Sequence, residues 1–257
     1  MKVDSEVKRI VKFIQELVKE SKSNGIVVGL SGGIDSALTA ALSVEAVRST
    51  NVQALILPIH SIEADIEDAK LVSNHLKINY ILIDLSTTFD HFIKSLSAPI
   101  KEVKDLTKAN LKPRMRMCSL YFFANQLNYL VAGTGNRSED EIGYFTKYGD
   151  GGVDFLPIQH LYKHEVREMA RYLKLPEKII NRKPSAGLWE GQTDEGEISQ
   201  QLGFPISYDT LDEMLENIDK NTYNPNNPQY KTINELRRKN RHKLALPPAL
   251  KRVETGD

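Results

Sequence analysis

The chain has 257 residues, which is enough for one large α/β domain or two small ones. Its 34 basic residues balance 34 acidic residues, so overall charge predicts no attraction to nucleic acid or to an anionic membrane. The single cysteine excludes a disulfide framework and a cysteine-rich zinc site within this chain. No apolar run approaches the roughly 20 residues that span a bilayer. The N-terminus lacks the apolar segment of a signal peptide, and we expect a cytoplasmic protein.

Apolar runs alternate with helical patterns along the first two thirds of the chain. An amphipathic helix comes first, and Asn24-Gly25 ends it. Short apolar runs then predict buried strands at 26–30, 52–59, 80–85 and 129–134, and 153–158 is predicted to be a further short strand or extended segment. A helix is predicted at 163–175. Two polar or glycine- and proline-rich stretches, 97–113 and 181–206, are predicted to be loops.

This alternation predicts a doubly wound α/β fold. Strands that are apolar on both faces are typical of a mostly parallel sheet with helices on both sides, here of about five strands. Ligands bind such sheets beyond the carboxyl ends of the strands. We expect residues 1–257 to form a single domain, with a helical and loop-rich appendage from about residue 181.

The loop "SGGIDS" at 31–36 follows the first strand and precedes a helix. Gly32 and Gly33 leave backbone N–H groups open to an anion, and the positive end of the helix points to the same place. Neither a Walker A loop nor a dinucleotide-binding G-x-G-x-x-G motif is present. The alternative is a plain glycine turn in which Asp35 or Ser36 caps the helix. Strand, loop and helix together favour a phosphate-binding loop.

A second motif, "AGTGNRSEDEIGYFTKYGDGGVDFLPI" at 132–158, starts at the end of the fourth predicted strand. Thr134 and Gly135 lie at the strand end, and three acidic residues at 139–141 follow. Carboxylates there would suit a hard cation, and Lys147 would suit an anionic substrate. The alternative is an acidic helix start followed by a turn, each of which is common alone.

The "SGGIDS" loop resembles the pyrophosphate-binding loop of N-type ATP pyrophosphatases. With residues 132–158, most of the chain is similar to ammonia-dependent NAD+ synthetase. The resemblance implies an adenine nucleotide alpha hydrolase-like fold and a ligase that amidates deamido-NAD+ with ammonia and ATP, giving NAD+, AMP and pyrophosphate through an adenylated intermediate. It also implies Mg²⁺, with ATP as co-substrate, and a homodimer. We expect no nucleic acid or membrane partner. No segment ahead of the first predicted strand is long enough for a glutaminase domain. We therefore expect the nitrogen donor to be ammonia, either free or passed from a separate partner.

The resemblance assigns roles position by position. Asp35 and Lys163 match catalytic positions, and Asp35 and Glu139 match magnesium ligands. The residues that match ATP-binding positions are Gly29, Leu30, Ser31, Gly32, Gly33, Ile34, Asp35, Ser36, Thr134, Lys163 and Ser185. The residues that match contacts of the deamido-NAD+ substrate are Arg114, Lys147, Asp154, His242 and Lys243. Ser185 stands where the family usually has threonine, and Leu244 where it often has arginine.

Two rival hypotheses stay open from the sequence. One is another N-type pyrophosphatase, either a tRNA-thiolating enzyme or an amidating enzyme like GMP synthetase. The other is a non-catalytic ATP-binding module. Thiolating enzymes usually carry a second cysteine or an RNA-binding extension, and neither is visible here. A sensor would not need to keep Asp35 and Glu139 together with Lys147 and Asp154, and all four are present.

Overall fold

Four parallel strands form the central sheet of the computed structural model, which describes residues 2–183 and 193–250. The strands are β1 (Gly25–Gly29), β2 (Val52–Ile56), β3 (Asn79–Leu82) and β4 (Tyr129–Ala132), in the order β3-β2-β1-β4. Strand order reverses at β1, where Val28 pairs with Ala54 on one side and with Ala132 on the other. The crevice beyond the end of β1 is therefore the expected ligand site of the sheet.

Eleven helices surround this sheet or follow it in the described part of the chain. They are α1 (Val3–Glu20), α2 (Ile34–Val47), α3 (Glu63–Leu76), α4 (Ser86–Ser97), α5 (Asp105–Leu127), α6 (Arg137–Ile142), α7 (Lys163–Tyr172), α8 (Glu177–Ile180), α9 (Asp194–Leu202), α10 (Tyr208–Asp219) and α11 (Pro228–Asn240). Short 3₁₀ turns lie at Ser49–Asn51 and Arg241–Lys243. Among the described helices, none is long and apolar enough to cross a membrane.

Helices cover both faces of the sheet, which confirms the doubly wound α/β prediction. Ile26 and Val28 of β1 point into a core shared with α1, α2 and α7. Val27 points to the opposite face, where it packs with Leu55 and with Ala124 of α5. Because side chains alternate along a strand, each strand contributes to both cores, and this explains the continuous apolar runs in the sequence.

The prediction of about five strands is wrong by one for the described residues. Phe155, in the expected fifth strand, makes only one parallel bridge, to Ala132. The Val131 N–H is taken by the Asp154 side chain, 2.7 Å away, and Pro157 has no N–H to donate. A side chain and a proline thus end the pairing before a ladder forms.

Two predicted loops contain helices. Helix α5 begins at Asp105, inside the expected loop 97–113, and runs through Pro113. One interior proline removes one helical hydrogen bond, and packing of α5 along β1 and β4 outweighs that loss. Within the expected loop 181–206, α9 spans Asp194–Leu202 and is capped by the Thr193 side chain.

The helices after residue 193 build a hydrophobic cluster of their own. Ile198 and Leu202 of α9 and Leu211 of α10 pack with Ile142 of α6 and Tyr162. The last two precede this region in the chain: Ile142 ends α6, and Tyr162 is the N-cap of α7. The C-terminal helices therefore pack against the carboxyl end of the sheet, beside the crevice.

Candidate active site

Lys163 joins two carboxylates at the carboxyl end of the sheet. Its Nζ lies 2.7 Å from Asp35 Oδ2 and 2.8 Å from Glu139 Oε1. Asp35 is in the first turn of α2, Glu139 in α6 and Lys163 at the start of α7. The lysine side chain is only 1% exposed. The structure thus brings together both residues predicted as catalytic and both predicted as metal ligands.

Asn136 fixes the geometry of this cluster. It is the N-cap of α6, where its Oδ1 accepts the backbone N–H of Glu139 at 3.1 Å. Its Nδ2 donates to Asp35 Oδ1 at 2.9 Å, and the residue is fully buried. One side chain therefore caps a helix and holds the Asp35 carboxylate, which follows the glycine loop between β1 and α2.

The backbone of Lys163 is held by polar groups of the neighbouring helices. Its N–H donates to Ser138 Oγ at 2.9 Å, and the Ser138 hydroxyl donates to Asp212 of α10. Asp212 also accepts the N–H of His164 at 3.0 Å. Through Asp212, which is buried, the C-terminal helices set the position at which α7 begins.

Burial and charge act in opposite directions on the cluster. Burial by itself lowers the pKa of Lys163, but the carboxylates of Asp35 and Glu139 outweigh it, so the pKa lies above its usual value. The lysine is therefore protonated at neutral pH. Burial raises the pKa of Glu139 to about 7, and Lys163 opposes this change. Burial, followed by the charges of Glu139 and Asp194, raises the pKa of Tyr208.

Tyr208 extends the cluster toward the C-terminal helices. Its hydroxyl lies 3.1 Å from Glu139 Oε1 and 3.3 Å from Asp194 Oδ2. The Lys163 ammonium lies 4.7 Å from the centre of the Tyr208 ring, within reach of a cation–π contact. Because Asp194 begins α9, this contact connects the helix after residue 193 directly to the candidate active site.

The glycine loop between β1 and α2 packs against α3. Gly32 has a φ of +80°, and a Cβ atom there would lie 2.6 Å from the Asp65 carbonyl oxygen. Glycine is thus required here by backbone conformation and by the close approach of α3. Helix α2 begins at Ile34 and Gly33 is its N-cap, so the alternative in which Asp35 or Ser36 caps the helix is wrong. Ser36 Oγ instead donates to the Gly33 carbonyl oxygen at 2.9 Å.

Arg182 lies against the same loop. Its Nη1 is 2.8 Å from Asp68 Oδ2, and its Nη2 pairs with Asp65. A Cβ atom at Gly32 would lie 3.2 Å from Nη1. The guanidinium group therefore closes one side of the glycine loop, and α3 holds it there through two carboxylates.

Four of the five predicted substrate residues meet in a second cluster. Arg114 of α5 donates to the Lys147 carbonyl oxygen, with Nε and Nη2 both at 3.3 Å. Lys147 Nζ donates to the His242 carbonyl oxygen at 2.7 Å. Lys243 Nζ donates to the carbonyl oxygens of Gly143 and Phe145, at 2.7 and 3.0 Å. The C-terminal 3₁₀ turn is thus attached to the segment that follows α6.

Asp154, the fifth predicted substrate residue, forms hydrogen bonds with groups of β4 and α5. Its Oδ2 accepts the Val131 N–H at 2.7 Å, and its Oδ1 accepts the Tyr121 hydroxyl at 3.0 Å. Both carboxylate oxygens therefore tie the edge strand β4 to its surroundings. Ser185, a predicted ATP contact, lies outside the described residues.

A cavity of about 130 Å³ lies where the two clusters approach each other. It is lined by Thr134 from the predicted ATP site, Glu139 from the first cluster and Lys243 from the second. A larger, more open cavity of about 340 Å³ lies beside it. The two cavities share four lining residues: Asp140, Leu156, Gln159 and Leu244.

Asn136, Tyr208 and Arg182 are not among the site residues predicted from the sequence. Asn136 could have been found, because an Asn three residues before a Glu is a common pattern at a helix N-terminus. Tyr208 and Arg182 are far in sequence from both motifs, and no local pattern distinguishes them from residues of an ordinary helix or turn.

Known proteins resemble this chain over nearly its whole length. The family profile "NAD synthase" matches residues 6–247. The NH(3)-dependent NAD(+) synthetase of Carboxydothermus hydrogenoformans is 46% identical over 245 residues, which cover 95% of this chain and 96% of the relative. That of Methanocaldococcus jannaschii is 45% identical over 251 residues, with coverages of 94% and 95%.

Two solved structures share the fold. NMN synthetase from Francisella tularensis superimposes with a TM-score of 0.86 at 33% identity, covering 97% of this chain and 99% of its own. The NH3-dependent NAD synthetase from Campylobacter jejuni gives a TM-score of 0.79, also at 33% identity, with coverages of 98% and 100%. Since the family profile and these relatives cover the glycine loop and both clusters, the chain belongs to the NAD synthase family.

Proposed function

We propose that this protein is a ligase that amidates deamido-NAD+ with ammonia at the expense of ATP, yielding NAD+, AMP and pyrophosphate. The observation that carries the proposal is the meeting of Asp35, Lys163 and Glu139 beyond the end of β1, beside the glycine loop. A strand, an anion-binding loop and a buried cation at the switch point of a parallel sheet suit a nucleoside triphosphate.

Each cluster has a proposed role. The glycine loop from Gly29 to Ser36, with Thr134, Lys163 and Ser185, binds ATP. Lys163 supplies a permanent positive charge to the phosphates, because its neighbouring carboxylates keep it protonated. Arg114, Lys147, His242 and Lys243 are proposed to bind the anionic dinucleotide, and Asp154, which also accepts the Val131 N–H, is proposed to contact the same substrate. Such a reaction needs positioning and charge stabilisation rather than a protein nucleophile.

The reaction proceeds in two steps. The nicotinate carboxylate attacks the α-phosphorus of ATP, and pyrophosphate leaves. Ammonia then attacks the activated carbonyl carbon and forms the C–N bond. The bond from that carbon to the phosphate oxygen breaks, AMP leaves, and the nitrogen releases one proton to solvent. The cavity between the two clusters is a place where the acyl group and the α-phosphate can meet, because it borders both predicted ATP and predicted substrate residues.

Asp35 and Glu139 suit Mg²⁺ as ligands. Both are carboxylates, and Mg²⁺ in nucleotide sites is held by one or two carboxylates together with phosphate oxygens. Within residues 2–183 and 193–250, no group of three or more acidic, histidine or cysteine residues could hold a metal ion without such help. We therefore expect the ion to bind with ATP. When bound, it neutralises charge between the carboxylates and the phosphates.

We propose a homodimer whose interface uses α4 and α5, which pack against each other. Large apolar side chains are exposed on both helices: Phe92 and Leu96 on α4, and Leu106 and Phe122 on α5. A monomer rarely exposes a large apolar patch on neighbouring elements. Residues 1–257 are proposed to form one domain with the helices after about 181 as its appendage, and the enzyme to work in the cytoplasm.

A mononucleotide acceptor is the second candidate substrate. The observation that favours it is the TM-score of 0.86 with the Francisella tularensis NMN synthetase. Higher identity to the synthetases of the dinucleotide, at 45–46%, favours deamido-NAD+. Deamido-NAD+ differs from nicotinate mononucleotide by one adenylate group. That group would have to be bound by residues other than those that contact the nicotinate half.

One assay decides between these acceptors. Purified protein is mixed with ATP, Mg²⁺ and either deamido-NAD+ or nicotinate mononucleotide, with ammonium or glutamine supplied separately. We expect amide formation with the dinucleotide and ammonium, and little with glutamine. A higher kcat/KM for the mononucleotide would replace the proposed substrate, and AMP release without amide formation would argue against the ligase.

A further inference from the structure

Tyr208 is held at two points by two adjacent acids. It is the first residue of α10 and is 1% exposed. Its backbone N–H donates to Glu195 Oε1 at 2.9 Å, and its hydroxyl lies 3.3 Å from Asp194 Oδ2. Both acids lie in the first turn of α9. The start of α9 therefore fixes the backbone and the hydroxyl of Tyr208 together.

The hydroxyl of Tyr208 and the ammonium of Lys163 contact the same oxygen of Glu139. The hydroxyl lies 3.1 Å from Oε1, and Lys163 Nζ lies 2.8 Å from it. The two donors belong to different helices, α10 and α7, so a rotation of the carboxylate about its last bond would break both hydrogen bonds. Since both contacts are to Oε1, Oε2 is the oxygen that Glu139 can offer to a ligand.

The ring of Tyr208 acts on a second member of the cluster. Lys163 Nζ lies 4.7 Å from the ring centre, and the face of an aromatic ring attracts a cation. This attraction helps to keep the ammonium where it contacts Asp35 and Glu139. Tyr208 therefore contacts Glu139 through its hydroxyl and Lys163 through its ring.

The ring and the hydroxyl of Tyr208 have separable roles. The ring packs with Ile142, Leu202 and Leu211 in the hydrophobic cluster of the C-terminal helices. Packing of this kind needs only an apolar ring, which phenylalanine would also supply. The hydroxyl adds a buried polar group that needs a hydrogen-bond partner, and its nearest partner is the carboxylate of Glu139. The hydroxyl is therefore explained by the candidate active site rather than by packing.

We propose that Tyr208 is a positioning residue for ATP, whose hydroxyl fixes the Glu139 carboxylate in the orientation that receives the Mg²⁺–ATP complex. The inference rests on the proposed function, since it explains how a proposed metal ligand of that reaction is held. Tyr208 acts through Glu139 rather than on a substrate, because the residue is buried and its hydroxyl lies between two carboxylates. In the described part of the chain, Tyr208 shares no hydrogen bond with the cluster of predicted dinucleotide contacts. Its effect should therefore fall on ATP.

The test is the Tyr208→Phe variant, titrated by calorimetry with Mg²⁺ and the uncleavable analogue α,β-methylene-ATP. We expect the affinity to fall about tenfold, because a hydrogen bond to a charged group is lost. The affinity for deamido-NAD+ should stay within about twofold of wild type. In the full reaction, the KM for ATP should rise while the KM for deamido-NAD+ and for ammonium stay within about twofold.

Thermal unfolding shows whether the variant keeps its fold. Phenylalanine retains the ring among Ile142, Leu202 and Leu211, so the melting temperature should fall by no more than about 5 °C. Glu195→Ala is a second, independent variant that keeps the hydroxyl but removes the carboxylate that holds the Tyr208 N–H. It should weaken binding of the ATP analogue in the same direction, by about threefold.

Tyr144→Phe is the matched control. The Tyr144 hydroxyl lies 3.2 Å from Asp194 Oδ1, so this variant removes a hydroxyl from the same acid and leaves the contacts of the Glu139 carboxylate in place. Its affinity for the ATP analogue should stay within about twofold of wild type. A loss equal to that of Tyr208→Phe would mean that anchoring of α9 is responsible, and the inference would be wrong.

An unchanged affinity for the ATP analogue in Tyr208→Phe would also overturn the inference. If that variant did not fold, an unchanged affinity in Glu195→Ala would do so. An equal loss of affinity for deamido-NAD+ would mean that the hydroxyl only supports the fold. The proposed function fails separately if the wild-type protein binds the analogue but forms no amide with ammonium. A wild-type protein that does not bind the analogue with Mg²⁺ would overturn both proposals.

Discussion

The ammonium group of Lys163 lies 2.7 Å from Oδ2 of Asp35, a residue 128 positions earlier in the chain. The same group lies 2.8 Å from Glu139, so one buried cation holds two carboxylates that would otherwise repel each other. The lysine thus holds the two carboxyl groups close together before any nucleotide arrives. Five predictions test the consequences of this arrangement and of its surroundings.

Replacing Asp35 with Asn should abolish NAD+ formation while the fold persists. The amide keeps the size of the side chain and can still accept the Asn136 hydrogen bond, but it loses the charge that pairs with Lys163 and the proposed metal ligand. We expect a decrease in kcat of about 100-fold or more. Asp209→Asn, at an exposed position on α10, is the matched control. Full activity in Mg²⁺ would rule out the metal role of Asp35.

Replacing Lys163 with Met should destabilise the protein in a pH-dependent way. The change leaves two partly buried carboxylates without their fully buried cation, and removing one partner of a buried pair costs about 3–5 kcal/mol. The pKa of Glu139, already raised by burial to about 7, would rise further without the lysine. The folded variant then binds a proton that the unfolded chain has released, so its stability falls as the pH increases.

Urea unfolding at pH 5.5 and pH 8 measures this effect, and the deficit relative to wild type should be larger at pH 8. Lys8→Met is the control, since that lysine forms an exposed pair with Asp4 and such surface pairs contribute little to stability. An equal deficit of the Lys163 variant at both pH values would contradict the buried-charge explanation.

Two substitutions of Asn136 should separate its cap from its contact with Asp35. Asn136→Ala removes both and should lower the free energy of unfolding by about 1–2 kcal/mol. Asn136→Asp keeps an oxygen that caps α6 but places a second carboxylate against Asp35. We expect a smaller loss of stability at low pH and a decrease in activity of about tenfold or more. If both variants had the same activity and stability, the dual role would be wrong.

Replacing Lys147 with Ala should weaken dinucleotide binding more than ATP binding. Its ammonium holds the His242 carbonyl oxygen at 2.7 Å, and its own carbonyl oxygen is held by Arg114. The side chain is therefore part of the second cluster and makes no contact with Asp35 or Glu139 in the described structure. Titration calorimetry with deamido-NAD+ and with ATP compares the two affinities. Equal losses for both ligands would count against a substrate role.

Replacing Asp140 with Asn should stabilise the free protein at alkaline pH. Burial raises the pKa of this carboxyl from 3.8 to about 6. Between these values the folded protein holds a proton that the unfolded chain has lost, so the charged residue costs stability above pH 6 and nothing below pH 4. A shift of this size corresponds to at most about 3 kcal/mol.

Thermal unfolding of wild type and Asp140→Asn across pH 4 to 8 should therefore show a gain for the variant that appears only above about pH 5. A variant that is less stable than wild type at pH 8 would mean that the Gln159 hydrogen bond outweighs the burial of charge.

Several features of this protein were determined by local sequence alone. Apolar runs long enough for short strands, interrupted by helical patterns, specified the parallel α/β fold because buried strands must be apolar on both faces. The "SGGIDS" loop located the start of α2 at the carboxyl end of β1, because the positive φ of Gly32 is a local requirement that glycine meets most readily. The motif at 132–158 placed Glu139 and Lys147 near the same end of the sheet.

Only the tertiary structure decided how these residues are paired. The carboxylates of Asp35 and Glu139 share Lys163 because α2, α6 and α7 converge at one edge of the sheet, and no local pattern encodes that convergence. Asp154 lies in a recognisable motif. Its carboxylate accepts the Val131 N–H in place of a backbone carbonyl oxygen, and this ends the expected fifth strand. Asp140 and Glu141 are adjacent acids, and only packing left the first without a cation while giving the second to Arg237. The sequence sets which residue types are present and how far apart they lie along the chain. Burial, and the distances between segments that are far apart in sequence, set the charge that each ionisable residue carries.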